Sequence, residues 1–407
     1  MKKSTVEKRV VITGLGVISS IGIGWQEFWK NLLAGKSGIS KISSFDTSNY
    51  DRTYAGEITN FSPEEFISFK KARQLGRASQ LAIAVSKLAL KDAEFNQNDI
   101  TEASCGVCIG TTMGEPQVME TLDAKHFPGK DLQIDFASAL SYPASCLSNN
   151  VANYLKFKSP NFVFSNACAA GNYAVGYAYD MIRTGAVDYM LAGGVDAFSR
   201  IAFTGFSRLF AVAPEKCQPF DKNRKGMIPG EGAGMVFMES LASAHKRNAP
   251  IYAEITGFGM SCDARHMTAP DPAGAAKAMR KALQSAGIGP EKIDYISAHG
   301  TGTKENDKAE CQAVHKVFGK RASRIPMSSI KSMLGHTMGA AAALETIACC
   351  LAIKDQCVPP TINLEEKDPG CDIDCIPNEN RECDLRTVLN NSQAFGGNNA
   401  DLLFKKI

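Results

Sequence analysis

The amino-acid sequence predicts an α/β fold made of two similar halves. Three observations predict it. Apolar, β-prone runs alternate with helix-periodic segments along the 407 residues. Several of these runs stop at glycine pairs or Gly/Thr turns, the punctuation of strand ends. The pattern also starts again near residue 250: ITGLGVIS at 12–19 returns as ITGFGMS at 255–261. A repeat this long is not a solenoid period. It fits two halves related by a pseudo-twofold, with apolar strands buried between helices and strand-end loops meeting at one site.

Residues 10–19 read as a buried strand ending in a glycine turn. Residues 25–33 read as a helix with Trp25, Phe28, Trp29 and Leu32 on its apolar face. Residues 40–60 are polar and irregular. Residues 68–90 start basic and continue as one long apolar-periodic helix. Residues 105–110 are a short strand that opens into Thr111-Thr112-Met113-Gly114, and 115–145 lack a clean period and look like an excursion over the core. Residues 162–183 read as strand, tight turn with Cys168 at its tip, and buried helix. Residues 189–197 form a strand stopping at Gly193-Gly194, 208–226 are loop-like and basic, and 232–239 are a strand followed by a helix through Arg247. In the second half, 294–302 echoes 105–114, and 326–351 echoes 162–183. Phe395-Gly396-Gly397 leading into Leu402-Leu403-Phe404 echoes the Gly193-Gly194 segment. The boundary is expected near 250, giving halves 1–250 and 251–407.

Composition is that of a globular protein. No apolar run is long enough for a membrane span, and the start MKKSTVEKRVVITG lacks the apolar core of a signal peptide, so a cytoplasmic location is expected. A net charge of +3 is too small to argue for nucleic acid but leaves room for a basic patch facing an acidic protein. Thirteen cysteines, an odd number over a long chain, suit reduced thiols. Cys105-x-x-Cys108 has no second pair at zinc spacing, and Cys371, Cys375 and Cys383 are irregularly spaced; both groups read as packing, with no metal expected.

Cys168 is the candidate nucleophile. A thiol at a helix N-terminus sits among unpaired N–H groups at the positive end of the macrodipole, which favours thiolate. Ala167, Ala169, Ala170 and Gly171 leave room for a substrate. A buried structural cysteine fits the same local pattern. The histidines tip the balance. His299 in SAHGTGT and His336 in SIKSMLGHTMG both lie in glycine-rich strand-end turns, matching the turn that carries Cys168. His126, His245, His266 and His315 lack that context and read as surface or packing residues, with His266 left open.

With SNACAAG, PGEGAGM, SAHGTGTKENDKAE, SIKSMLGHTMGAAAALE and NSQAFGGNNADLLF in that order, nearly the whole chain resembles the elongating β-ketoacyl-acyl carrier protein synthases of the thiolase fold. The resemblance implies a five-layered αβαβα subunit in a dimer, homodimeric or else heterodimeric. It implies decarboxylative Claisen condensation of a malonyl-carrier protein with a Cys-bound acyl chain, in fatty-acid or specialised lipid biosynthesis. No cofactor is implied, since the acyl carrier protein brings the phosphopantetheine. By resemblance Cys168 attacks the acyl thioester, and the backbone N–H groups of Cys168 and Phe395 form the oxyanion hole. His299 and His336 bind the malonyl thioester carbonyl and stabilise the enolate. Lys331 orients the site with Glu345 as its charge partner, a pair that fits a plain structural ion pair equally well. Thr301 and Thr303 bind the phosphopantetheine arm, and Phe395, Gly396 and Gly397 line the gate beside the nucleophile. Met113 approaches the acyl pocket or simply fills core. Lys70, Lys71, Arg73, Arg77 and Arg208 are candidates for docking the acidic carrier, although a charge run also marks an ordinary solvated face.

The Cys-His-His set separates the chain from initiating synthases, which use Cys-His-Asn, and from noncatalytic chain-length partners, which lack the cysteine. The second cysteine motif of degradative thiolases is not found. One motif departs from the family. Where the family usually reads Asn-Ser-Phe-Gly-Phe-Gly-Gly-Thr-Asn, this chain has Gln393 for an aromatic residue and Ala394 for a glycine. Alanine reaches positive φ less readily than glycine, so a restricted gate and a specialised acyl substrate are expected, against a neutral, compensated change. A type II polyketide or polyene ketosynthase subunit is the nearest alternative, and a noncatalytic partner subunit the alternative from another class.

Overall fold

A computed structural model describes residues 7–95, 105–126 and 140–407. Ten principal strands, numbered in chain order, form two arrays. The first holds β1 (Val10–Ser19), β2 (Cys105–Gly110), β3 (Asn161–Phe164), β4 (Tyr189–Asp196) and β5 (Gly232–Ser240). The second holds β6 (Ala253–Cys262), β7 (Tyr295–Ser297), β8 (Met327–Ser328), β9 (Thr387–Gln393) and β10 (Asn398–Lys405). The orders are β3-β2-β4-β5-β1 and β8-β7-β9-β10-β6, the same arrangement twice. Pairing repeats as well: β2 is parallel to β3 and β4, and β7 to β8 and β9, while the remaining neighbours within each array are antiparallel. The arrays join edge to edge where Val10, Val11 and Ile12 of β1 pair with Ile255, Glu254 and Ala253 of β6.

Six helices complete five layers. α1 (Arg77–Asp92) and α2 (Cys146–Leu155) cover the outer face of the first array. α3 (Ala170–Arg183) and α6 (Ala341–Asp355) lie between the arrays, touching each other and strands of both. α4 (Pro272–Ala286) covers β6 and β10 on the far side, with α5 (Lys304–Phe318) packed beside it. The sequence explains the layering. Every residue of β1 is buried, as in a strand covered on both faces. α6 is apolar on all sides and buried from Ala341 to Ile353, as a central helix must be. Each fully buried Leu or Ile there contributes about 1.5–3 kcal/mol.

The Gly-x-Gly shared by the two ITG segments has a packing cause. A Cβ at Gly14 or Gly16 would collide with carbonyl oxygens of Ala89 and Val85 on α1; at Gly257 or Gly259 it would collide with those of Ala282 and Ala278 on α4. The repeated glycines let an outer helix lie directly on its strand in each half.

Four expectations need correction. Residues 68–90 are two helices, Phe69–Ala72 and α1, rather than one. The buried Glu115 carboxylate accepts the N–H groups of Ala78 and Ser79 at 3.1 and 2.7 Å, so it caps a fresh N-terminus. Within 115–145, Pro116–His126 is helical, and 127–139 lie outside the described residues. The Gly396-Gly397 pair is not the counterpart of Gly193-Gly194, which lies inside β4. The partner of β4 in the repeat is β9, and Gly396 and Gly397 form the turn after it, both at φ 82°. The irregular stretch 40–60 contains one short antiparallel pairing, of Ser40–Lys41 with Tyr54–Ala55.

Candidate active site

The site forms where strand-end turns of both halves converge. Cys168 sits in a 3-10 turn, Ala167–Ala169, between β3 and α3. Ala167 holds φ 48°, a left-handed conformation rare for alanine, which turns the chain sharply and presents the cysteine. The second half repeats the device: Met338 holds φ 51° at the start of the 3-10 turn Met338–Ala340 that leads into α6. The counterpart of Cys168 in that turn is Gly339.

His299 and His336 approach from the second half with ring centroids 5.4 Å apart at 83°. The backbone N–H groups of His299 and Gly300 both donate to the Glu310 carboxylate of α5 at 2.7 Å, and Asn391 Nδ2 donates to it at 2.5 Å. His336 is pinned by residues 228–230, at the start of the segment PGEGAGM: its N–H donates to Ile228 O at 2.6 Å and its carbonyl accepts from Gly230 at 2.9 Å. Its Nδ1 accepts the Met338 N–H at 3.1 Å, which places the ring proton on Nε2. Burial, then the charge of Lys331, lowers both imidazoles well below their ordinary range, so both are neutral at pH 7. For His299 the neighbouring His336 adds to the effect.

Cys168 is buried and its thiol is pushed up to about 11, chiefly by desolvation. Lys331, the Phe395 N–H and its own N–H pull the other way, and Asp196 adds to the rise. The expected resting thiolate is therefore not found: burial outweighs the helix terminus. The N–H groups of Cys168 and Phe395 both reach toward the sulfur. Lys331 is ion-paired with Glu345, both fully buried. Burial pushes Glu345 up to about 7 against the pull of Lys331.

Cys168, His299, Thr301, Thr303, His336, Phe395 and Gly397 line one cavity. Thr301 and Thr303 bring their hydroxyls within 2.9 Å of each other, and Phe395 faces Phe206 with ring centroids 6.0 Å apart. The exposed His266 stands at the rim of this cavity, with Nδ1 accepting from Thr268 and Ala269. His245 is exposed and His315 bonds the Asp372 carbonyl. The side chain of His126 lies outside the described residues. Met113 does not line the cavity; its N–H donates to Asp196 instead. Ala394 is extended, at φ −137° and ψ 152°, so the strain expected of an alanine there is absent from this conformation.

Among the docking candidates, Lys70, Lys71, Arg73 and Arg208 are exposed. Arg77 is not available: it forms a two-pronged ion pair with the buried Glu231 at 2.5 and 2.9 Å and donates to Ile58 O. Cys105 and Cys108 point into different cores on opposite faces of β2, as a three-residue spacing in a strand requires. Among the described residues no three His, Cys, Asp or Glu side chains group as metal ligands.

Two site residues escaped the sequence reading. Glu310 props up His299; its signal was an acid three residues after Asp307 on a helix with apolar neighbours. Asp196, at the end of β4, accepts from Thr111 Oγ1, Thr112 N, Met113 N and Gly339 N, so one carboxylate staples turns of both halves.

Comparison with known proteins agrees with this architecture. The family described as beta-ketoacyl synthase, N-terminal domain, matches residues 7–244, and its C-terminal domain matches 252–365. The 3-oxoacyl-[acyl-carrier-protein] synthase 2 of Coxiella burnetii is 42% identical over 98% of this chain and 99% of its own length. That of Staphylococcus aureus is 41% identical over 98% of both. Among solved structures, the ishigamide ketosynthase/chain length factor superposes with a TM-score of 0.96 at 45% identity, covering 98% of this chain and 100% of that one. A type II polyketide ketosynthase bound to its acyl-carrier protein and a hexaketide gives 0.91 at 33%, with the same coverage. With its thiolase-like five-layered fold, the chain belongs to the beta-ketoacyl synthase family.

Proposed function

We propose that this protein is a carbon–carbon bond-forming acyltransferase that lengthens a carrier-bound acyl chain by two carbons. The observation that carries the reading is the cavity that joins one cysteine, two neutral histidines and two backbone N–H groups aimed at the sulfur. In the first step Cys168 Sγ attacks the acyl thioester. The carbonyl oxygen takes charge against the N–H groups of Cys168 and Phe395, and the carrier's thiol leaves with the proton. In the second, a malonyl thioester places its carbonyl oxygen between His299 and His336. Carbon dioxide departs, and the electron pair moves onto the enolate, which the imidazole N–H groups stabilise. The enolate carbon then attacks the Cys168 thioester, the C–S bond breaks with its electron pair returning to Sγ, which takes up a proton from the medium, and the β-ketoacyl chain leaves on the carrier. Neutral imidazoles can fill this role by N–H donation, as His336 can from Nε2.

Lys331 acts as a positioning residue held by Glu345. Thr301 and Thr303 receive the phosphopantetheine arm, with Gly396 and Gly397 shaping the turn beside it. Met113 is kept as a residue of the acyl side through the loop that Asp196 holds. Lys70, Lys71, Arg73 and Arg208 face the acidic carrier. The enzyme uses no cofactor beyond the arm the carrier brings. It works as a dimer, with itself or with a chain length factor of the kind named in the ishigamide and Xenorhabdus doucetiae structures. All thirteen cysteines are unpaired, which suits a cytoplasmic setting, and no described helix is long and apolar enough to cross a membrane. The two halves are taken as 1–250 and 251–407.

The test is acylation by a panel of acyl-carrier proteins read by intact mass, followed by malonyl-carrier. A mass gain confined to Cys168, absent in Cys168→Ala and discharged as a chain two carbons longer, is expected. No loading from any donor would overturn the reading in favour of a noncatalytic partner subunit.

A further inference from the structure

Gln393 ends β9 with its side chain 2% exposed, and neither the oxygen nor the nitrogen of its amide has a hydrogen-bond partner among the described residues. It lines the cavity that holds Cys168, His299 and His336. Strand alternation gives its direction. Asn390 and Ser392 turn toward the central layer, where they bond Asn172 and the Cys168 carbonyl. Asn391 turns the opposite way, to Glu310 beneath His299. Gln393 follows Asn391, onto the histidine side of the cavity. A buried amide with both ends unpaired is costly unless a ligand completes it.

The cavity lining contains no lysine, arginine, aspartate or glutamate. A malonyl unit bound there brings a carboxylate that meets no opposite charge from the wall. We propose that the Gln393 side-chain NH₂ donates a hydrogen bond to the carboxylate of the extender unit, which makes Gln393 a binding residue that selects carboxylated extenders. This rests on the condensing reading above. A neutral donor suits the task. It holds the carboxylate in the bound state without the strong ionic grip that would oppose its loss as carbon dioxide. As the charge shifts to the enolate, the histidines take it over.

The experiment uses the full-length enzyme, first acylated at Cys168, with malonyl-carrier as the variable substrate. Gln393→Leu and Gln393→Met are compared with the parent, and acetyl-carrier, which lacks the carboxylate, is titrated as a competitor. For both variants, acylation of Cys168 is expected to stay within about twofold of the parent, which also reports folding. KM for malonyl-carrier is expected to rise about tenfold or more, the loss of one charge-assisted hydrogen bond, with kcat unchanged or higher and acetyl-carrier inhibition unchanged. An unchanged malonyl KM in both variants overturns the proposal. So does a parallel weakening of malonyl- and acetyl-carrier, which would report damage to the pocket as a whole. If the parent enzyme itself fails to acylate Cys168, the condensing reading falls and this proposal with it.

Discussion

Glu310 lies directly beneath His299 and takes its backbone N–H at 2.7 Å, together with that of Gly300 at the same distance. The histidine turn is thus held by a carboxylate from the next helix, not by its own side chain. Glu310→Ala strands three N–H donors in a buried site, at about 1–3 kcal/mol each when left unpaired. A loss of about 3 kcal/mol or more in denaturant unfolding is expected, with kcat falling while KM for the acyl donor changes little. Glu310→Gln should recover part of both.

Cys168 reactivity should climb with pH and show no plateau near neutrality. With the thiol pushed up to about 11, each unit of pH between 7 and 9 raises the thiolate fraction roughly tenfold. Iodoacetamide alkylation of Cys168, followed by mass with Cys168→Ala as control, should track that slope. A rate already flat at pH 7 would mean a thiolate at rest and a different electrostatic balance.

Lys331 and Glu345 separate structure from chemistry. Breaking a buried pair from one side costs about 3–5 kcal/mol, so Lys331→Met should lower Tm markedly. It should also slow Cys168 alkylation, because the lysine charge favours the thiolate. The double variant Lys331→Met/Glu345→Leu should regain most of the stability while leaving alkylation slow. Recovery of both would make the pair purely structural.

His299 and His336 set part of the acid limit of stability. Their folded pKa values lie below the unfolded value of 6.5, so below that pH the unfolded chain binds more protons and the fold loses stability as pH falls. Glu310 and Glu345, raised to about 7 from 4.5, act oppositely: between those values the folded state holds the extra protons, and stability falls as pH rises. In His336→Asn one of the two histidine contributions is removed, so Tm should fall less between pH 6.5 and 5 than in the parent.

The basic candidates should divide cleanly. Lys71→Glu with Arg73→Glu should raise KM for the carrier several-fold at low salt, and the effect should fade at high salt. Arg77→Ala should instead destabilise the fold at any salt, since its guanidinium is committed to Glu231.

The strand repeat and the Cys168, His299 and His336 turns were legible because each depends on local pattern: apolar runs, glycines at close approaches and turn residues; the five-layer order came from the family resemblance. What escaped was long-range. The break before Arg77 depends on Glu115, thirty-seven residues from Ala78. The thiol's rise depends on burial by segments far along the chain, and a local dipole argument missed it. Arg77 looked like part of a surface run because Glu231, its partner, lies 154 positions away. The alanine at 394 was judged by the glycine it replaces, whereas the backbone there is extended and suits any residue.

The paired turns at Ala167 and Met338 share a backbone but not a vocation. One offers a sulfur to the cavity. The other, at Gly339, surrenders its side chain so that its N–H can reach Asp196 at 2.6 Å. A Cβ at Gly339 would press to 2.6 Å on the Thr111 backbone. The duplicated scaffold therefore has no latent second nucleophile to be restored: Gly339→Cys would unlock the staple between the halves instead of doubling the chemistry. Symmetry here is a property of the frame, and the side chains at the two turns depart from it.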